Sequence, residues 1–167
     1  MIVRSEQPKD YTFIHSVNIA VFETPTEAEL VDKLRKEAQP VISLVAEDNG
    51  KILGHIMFSP VSLSGHIDLR IMGLAPMAVL PGYQRKGIGS ALVKTGLAKC
   101  KELGFGAVVV LGHAGYYPRF GFLPSVEFGI HSEYDVPEEV FMVVELLPGY
   151  LQDAEGIIQY HKAFNGI

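Results

Sequence analysis

The chain has 167 residues, of which 48% are hydrophobic and 20% charged, which is typical of one globular domain. Fourteen Lys and Arg against nineteen Asp and Glu leave a formal net charge of −5, which argues against general binding of nucleic acids or anionic membranes. The single cysteine, Cys100, excludes an internal disulfide, and without a signal-peptide pattern or an apolar run of about 20 residues we expect a soluble, cytoplasmic protein.

The N-terminal segment predicts a short strand followed by a helix. Ile2–Arg4 is apolar and β-branched, as strands often are. Helical spacing follows from about Lys9 to Phe22, where Phe13, Val17 and Ala20 share one face of the predicted helix. We expect that face to be buried.

A second helix and a β-hairpin are predicted next. Thr26 and Glu29 have the spacing of a capping box, so we expect a helix from there to about Ala38. Asp48-Asn49-Gly50 predicts a hairpin turn, because Asn and Gly tolerate positive φ. The predicted hairpin strands are Val41 to Glu47 and Lys51 to Leu63.

The middle of the chain predicts a βαβ unit, which implies one pair of parallel strands. An extended segment lies within Ile67 to Leu80, a helix within Gly87 to Gly104, and a fully apolar strand at Ala107 to Leu111. Phe122–Ile130 and Val140–Leu146 are further extended segments that we expect to pair antiparallel. These elements predict a mixed α/β (α+β) fold, in a single domain over residues 1–167.

The loop before the predicted middle helix has the chemistry of an anion site. A helix N-terminus presents free N–H groups and partial positive charge, and Arg85 and Lys86 add cations beside Gly87 and Gly89. The residues after Gly87 match neither a P-loop nor a dinucleotide fingerprint. The loop alone therefore predicts either a phosphate site or a glycine-containing helix start.

Three motifs in order resemble the GNAT (GCN5-related N-acetyltransferase) superfamily, of the bacterial type. Gln84–Gly89 matches its Gln/Arg-x-x-Gly-x-Gly/Ala motif. Met77–Pro81 is similar to its central strand, and Tyr117–Phe122 is similar to its Tyr-x-x-x-Gly-Phe motif. The resemblance covers about residues 2–147 and leaves residues 148–167 as a C-terminal tail.

The resemblance implies a fold and a co-substrate. The fold is a central mixed sheet with one splayed pair of parallel strands, flanked by helices. Acetyl-CoA lies in the splay, with its pantetheine arm along the first parallel strand and its pyrophosphate on the loop. The implied cofactor-binding residues are Met77, Ala78, Val79, Arg85, Lys86, Gly87, Ile88, Gly89 and Ser90.

The implied reaction is direct transfer of an acetyl group to a primary amine of a small molecule or peptide, in a ternary complex. Tyr117 occupies the position of the family's general acid, and its reference pKa near 10 keeps tyrosine protonated at neutral pH. Tyr116 is expected to project elsewhere. Many members have a carboxylate on the strand before the loop, but residues 71–80 contain none. His113 is therefore a candidate base, with a cofactor contact or a strand-end cap as alternatives.

The acceptor site is expected between the loops at Phe22–Thr26 and Val126–Glu139. The second loop carries five carboxylates, which would attract a cationic amine or would simply face solvent. Tyr160 and Phe164 predict a docked tail or a homodimer contact. The histidine spacing predicts no metal site.

Three alternatives stay open at this point. One is transfer of another acyl group within the same fold, and a second is a CoA-binding module without turnover. A nucleotide-phosphate-binding domain of another fold would leave Tyr117–Phe122 unexplained.

Overall fold

A computed structural model describes residues 1–166 of the chain. Within these residues the α-helices are α1 (Tyr11–Phe22), α2 (Thr26–Glu37) and α3 (Ile88–Glu102). The strands are β1 (Ile2–Ser5), β2 (Ile42–Asp48), β3 (Lys51–Leu63), β4 (Ile71–Val79), β5 (Ala107–Leu111), β6 (Leu123–Pro124), β7 (Ile130–Ser132), β8 (Phe141–Glu145) and β9 (Gly156–Gln159).

The main sheet has the order β1-β2-β3-β4-β5-β8-β6. Its neighbours pair antiparallel except β4 and β5, which are parallel and are joined through α3. The predicted mixed α/β fold is therefore confirmed. The predicted hairpin is confirmed as well: β2 and β3 pair through a turn in which Asn49 and Gly50 have φ values of 50° and 80°.

The first two helices differ from the prediction in their details. A 3₁₀ turn at Pro8–Asp10 precedes α1, and the buried face of α1 carries Ile14, Val17 and Asn18, whereas Phe13 is 59% exposed. The predicted buried face was therefore wrong by about one residue. Apolar residues lie on more than one side of α1, and packing against the sheet decides which side is buried. The predicted capping box was also wrong, since Thr26 is the first helical residue and α2 has no side-chain cap bond.

The predicted antiparallel pairing of the later segments is only partly confirmed. β8 pairs with β5 and with the two-residue β6. The chain then turns in a 3₁₀ helix at Ser125–Phe128, closed by a hydrogen bond of 2.8 Å from Ser125 Oγ to the Ile130 carbonyl. β7 follows and pairs with β9 instead.

The C-terminal tail packs onto the rest of the chain. β9 pairs antiparallel with the end of β3 and parallel with β7. The rings of Tyr160 and Phe164 lie 5.1 Å apart, centroid to centroid, and Phe164 packs against the α1–α2 side of the core. The docked-tail alternative is therefore confirmed, while the homodimer stays a prediction.

Apolar layers cover both faces of the sheet. On one face Leu92 and Val93 of α3 share a core cluster with Phe58. On the other face Val17 of α1 and Leu34 of α2 share a cluster with Met57. None of the helices formed by residues 1–166 is long and apolar enough to cross a membrane.

Candidate active site

The parallel strands β4 and β5 separate at the centre of the sheet. They pair only from Ile71 opposite Ala107 to Leu74 opposite Val110. β4 then continues to Val79 beside β3, whereas β5 continues beside β8. Within the described residues, β4 from position 75 onward has no strand partner on its β5 side. This edge can pair with an extended ligand as a further strand would.

A Gln84 hydrogen bond joins the following loop to the end of β4. Its Nε2 donates to the Val79 carbonyl over 2.9 Å. The chain then passes through positive φ values at Arg85 (63°) and Gly87 (84°) before α3 begins. The glutamine of the motif thus holds the loop beside the free strand edge.

The first turn of α3 forms an anion-binding cradle. Its first helical hydrogen bond runs from the Ala91 N–H to the Gly87 carbonyl over 3.0 Å. The N–H groups of Ile88, Gly89 and Ser90 therefore have no partner within the helix, and the helix dipole places partial positive charge at the same point. This arrangement suits a phosphate or pyrophosphate.

The cradle opens into a cavity of about 690 Å³ with cations at its rim. Arg85 and Arg119 both line it. Arg119 was missed by the sequence analysis; its Nε donates to the Tyr116 carbonyl over 2.9 Å, and its guanidinium carbon lies 4.5 Å from the Tyr116 ring centroid. A 3₁₀ turn from a different part of the sequence brings this second cation to the cradle.

Of the residues that the resemblance implies for the cofactor, six line the cavity and three do not. The six are Met77, Val79, Arg85, Gly87, Gly89 and Ser90. Ala78 is buried on the α1–α2 side and Ile88 is buried in the α3 core. The Lys86 ammonium lies over the Tyr83 ring instead, 5.6 Å from its centroid. Ala78 and Ile88 can therefore offer a ligand only their main-chain groups.

Tyr117 is buried at the open end of the splay. Its ring packs on Gly112, where a Cβ atom would overlap it, and edge-on against Phe122 at a centroid distance of 5.6 Å. Burial, followed by the neighbouring Tyr116, raises the pKa of Tyr117 to about 12. The phenol therefore stays protonated well above neutral pH.

Tyr116 also faces the site, which corrects the expectation that it projects elsewhere. Its hydroxyl lies 3.4 Å from Ser90 Oγ, and its side chain lines the cradle and the adjoining cleft. The Tyr116 and Tyr117 rings meet edge to face with their centroids 5.1 Å apart, and both line the adjoining cleft. The Tyr-x-x-x-Gly-Phe motif identifies Tyr117, and no spacing in the sequence identifies Tyr116 as a site residue.

His113 is exposed and lies where the two cavities meet. Its carbonyl accepts hydrogen bonds from the N–H groups of Tyr116 (3.0 Å) and Tyr117 (3.3 Å). This turn places the imidazole and both phenols at the end of β5. The structure therefore brings together both residues proposed for catalysis.

A second cleft, of about 540 Å³, continues from the cradle and shares Met77, His113 and Tyr116 with it. We call it the acceptor cleft. The five carboxylates predicted for the acceptor loop do not line it; they are Glu127, Glu133, Asp135, Glu138 and Glu139. All five are exposed residues, whereas Tyr134 of the same loop lines the cleft with part of its ring in solvent. A carboxylate that the sequence analysis missed, Glu27 of α2, lines the cleft instead.

Over residues 1–166, no three His, Cys, Asp or Glu side chains come together as a metal site requires.

Comparison with known proteins assigns the family. The family model described as the acetyltransferase (GNAT) family matches residues 5–122. The chain belongs to the GNAT acetyltransferase family. The match ends at Phe122, so it includes both the cradle and the Tyr116–Tyr117 turn.

Two Escherichia coli K12 proteins are similar to this chain over most of its length. The N-acetyltransferase YhbS is 36% identical over 166 residues, which cover 99% of each chain. The N-acetyltransferase YjhQ is 41% identical over 134 residues, 78% of this chain and 74% of that one.

Two GNAT crystal structures share the whole fold. E. coli YhbS in complex with CoA has a TM-score of 0.92 at 35% identity, covering 98% of this chain and 91% of that one. A GNAT acetyltransferase from Brucella melitensis in complex with acetyl-CoA has a TM-score of 0.81 at 36% identity, covering 98% and 97%. The bacterial GNAT resemblance is confirmed.

Proposed function

We propose that this GNAT acetyltransferase transfers an acetyl group from acetyl-CoA to a primary amine of a small molecule or peptide. The observation that carries the proposal is the continuity of the two cavities. The cradle and the acceptor cleft meet at Met77, His113 and Tyr116, beside the free edge of β4. Two substrates can therefore meet there in one ternary complex.

The residues of the cradle fit acetyl-CoA. The free N–H groups of the first α3 turn, with Arg85 and Arg119, suit the pyrophosphate. The free edge of β4 suits the amide groups of a pantetheine arm. At Gly89 a Cβ atom would lie 3.0 Å from the Tyr116 hydroxyl, so glycine lets Tyr116 pack close to the first turn of α3. The CoA complexes of YhbS and of the Brucella protein support the same co-substrate.

Tyr117 and His113 carry the proton transfers in this proposal. Acetyl-CoA supplies a thioester carbon that bonds to the amine nitrogen as the carbon–sulfur bond breaks. The Tyr117 hydroxyl gives its proton to the leaving sulfur, and a phenol whose pKa is about 12 is fully protonated at neutral pH. His113 takes the proton that the amine loses, directly or through water. The amine attacks in its neutral form, after its ammonium has lost one proton to solvent. The proton that His113 then takes returns through water to the Tyr117 phenolate, so one proton leaves nitrogen, one reaches sulfur and both side chains are restored.

The position of Cys100 supports direct attack by the amine. It is fully buried in α3, and burial raises the pKa of its thiol to about 12. A protonated, inaccessible thiol cannot carry an acyl group, and the chain has no other cysteine.

Thiol release from acetyl-CoA across a panel of primary amines tests the proposal, with mass spectrometry of the acetylated amine. We expect release only when an amine is present. Tight CoA binding by calorimetry with no release for any amine would favour the binding-module alternative. Faster turnover with propionyl-CoA or succinyl-CoA would favour another acyl group. A cytoplasmic location and a homodimer stay predictions from the sequence.

A further inference from the structure

The acceptor cleft carries a single formal charge among the side chains that line it in the described part of the chain. That charge is on Glu27, a half-buried residue in the first turn of α2. The Thr24 hydroxyl approaches its Oε1 at 3.4 Å. None of the lining residues is Lys or Arg. The cleft can thus pair one ammonium group, and it offers no cation to a substrate carboxylate or phosphate.

Aromatic rings form much of the remaining wall. Tyr134 and Tyr160 stack with centroids 5.6 Å apart and an interplanar angle of 29°, and Phe164 lies 5.1 Å beyond Tyr160. Phe22 adds a ring from the end of α1. Rings in this arrangement bury the apolar body of a ligand and attract a nearby cation through their faces.

The wall is held in place by main-chain bonds. The Glu133 carboxylate accepts a hydrogen bond of 2.6 Å from the Tyr160 N–H, and β9 pairs with β7 just before it. The Glu133 carboxylate is thus hydrogen-bonded to the backbone of the C-terminal tail. The side of the acceptor loop that faces the cleft presents Tyr134.

From these contacts we infer that the acceptor is a small monoamine with an apolar, aromatic body, an arylalkylamine, and that Glu27 binds its ammonium group. This inference rests on the proposed acetyl transfer. A polyamine or aminoglycoside would bring further ammonium groups that find no carboxylate in the cleft. A peptide or amino acid would bring polar groups that the aromatic wall leaves unpaired.

The test compares phenethylamine with spermidine and with a short lysine-containing peptide. In turnover with acetyl-CoA, we expect kcat/KM for phenethylamine to exceed the other two by about tenfold or more, because their additional polar groups would be buried without partners. A higher kcat/KM for spermidine or the peptide would overturn the substrate class while leaving acetyl transfer intact.

Calorimetry of phenethylamine with the CoA-loaded protein tests the Glu27 contact without turnover. Glu27→Gln should weaken binding about tenfold, the loss expected for one charge-assisted hydrogen bond. Glu29→Gln is the matched control, since it removes the same charge from the same helix at an exposed residue outside the cleft. Equal affinity of the wild type and Glu27→Gln would overturn the contact.

Tyr134 variants test the aromatic wall separately. Tyr134 is 41% exposed, so its truncation should leave the fold intact. Tyr134→Ala should raise the KM for phenethylamine several-fold, and Tyr134→Phe, which keeps the ring, should raise it less. An unchanged KM in Tyr134→Ala would contradict the proposal that the aromatic wall binds the acceptor. If no amine released thiol while phenethylamine binding still depended on Glu27, acetyl transfer would fail and the binding site would stand.

Discussion

The Tyr116 hydroxyl lies 3.4 Å from Oγ of Ser90, 26 positions earlier in the chain. This contact joins the turn after β5 to the first turn of α3. The anion cradle and the proposed general acid, Tyr117, therefore belong to one packed unit. A substitution in the cradle should therefore shift the Tyr116 side chain.

Gly89→Ala tests how closely the cradle is packed. The new Cβ atom would lie 3.0 Å from the Tyr116 hydroxyl, tighter than ordinary van der Waals contact. We expect acetyl-CoA affinity, measured by calorimetry, to fall about tenfold, which is 1.4 kcal/mol. Gly89→Glu should abolish binding, because it adds a negative charge where a pyrophosphate is expected.

Gly115→Ala is the matched control for the cradle, since a Cβ atom there meets nothing within 4 Å. Its acetyl-CoA affinity should equal that of the wild type. Wild-type affinity in Gly89→Glu would defeat the placement of the pyrophosphate.

Tyr117→Phe tests the proposed proton donor. We expect kcat to fall about 10²-fold with little change in acetyl-CoA affinity, because the hydroxyl is used in the transfer step. Burial raises the pKa of Tyr117 from 10 to about 12, so the proton is retained as pH rises past 10. The ratio of wild-type to variant kcat should therefore stay constant from pH 8 to 10.5.

Two results would remove Tyr117 from the mechanism: wild-type turnover in the variant, or a rate ratio that collapses near pH 10. Tyr11→Phe serves as the control, because Tyr11 is an exposed tyrosine at the start of α1, away from both cavities.

Gly96→Ala should destabilise the protein although alanine is the better helix former. Gly96 lies in the middle of α3, where helix propensity alone favours alanine by about 1 kcal/mol. A Cβ atom there would overlap the Phe58 ring in the core. Overpacking costs about 1–3 kcal/mol, so we expect a net loss in the free energy of unfolding in urea. Lys94→Ala, at an exposed position of the same helix, should not lose stability.

We expect the protein to lose stability in mildly acidic solution because of the buried His55. It is fully buried, and burial, opposed by Glu6, lowers the pKa of its imidazole from 6.5 to about 4. The unfolded chain therefore takes up a proton between pH 6.5 and 4 that the folded protein does not. Stability is complete above pH 6.5 and falls as pH drops through this range, by about 3 kcal/mol at most.

The hydrogen bonds of His55 explain why its neutral form is held. The Ser43 hydroxyl donates its one proton to Glu6 Oε1 over 2.6 Å. Its oxygen must therefore accept from His55 Nε2, which lies 2.8 Å away and carries the imidazole proton. Nδ1 then accepts from Asn18 Nδ2 at 3.4 Å, and that amide also donates to the Ile14 carbonyl. A proton on Nδ1 would face this donor.

Urea unfolding between pH 7 and 4.5 measures the effect. His55→Gln should flatten the dependence, whereas His131→Gln, at an exposed position, should not. NMR titration of the wild type gives a second readout: a His55 signal that shifts near pH 6.5 would contradict the prediction.

Local chemistry was enough to predict much of the fold. The Asn49-Gly50 turn selects its hairpin through the φ values that those two residues accept. The βαβ unit follows from the fully apolar β5 and the helix before it. The glycines and cations before α3 likewise predict an anion site, because a helix N-terminus binds anions through its own backbone.

Packing between distant segments decided the rest. Tyr160 joins the acceptor cleft only because β9 pairs with β7 and β3. The carboxylate that lines the cleft is Glu27, since the acidic loop contributes Tyr134 to the lining and none of its five carboxylates. Residue spacing describes one helix face or one turn at a time. Which faces meet depends on contacts between residues far apart in the chain, and so the acceptor cleft emerged only from the tertiary structure.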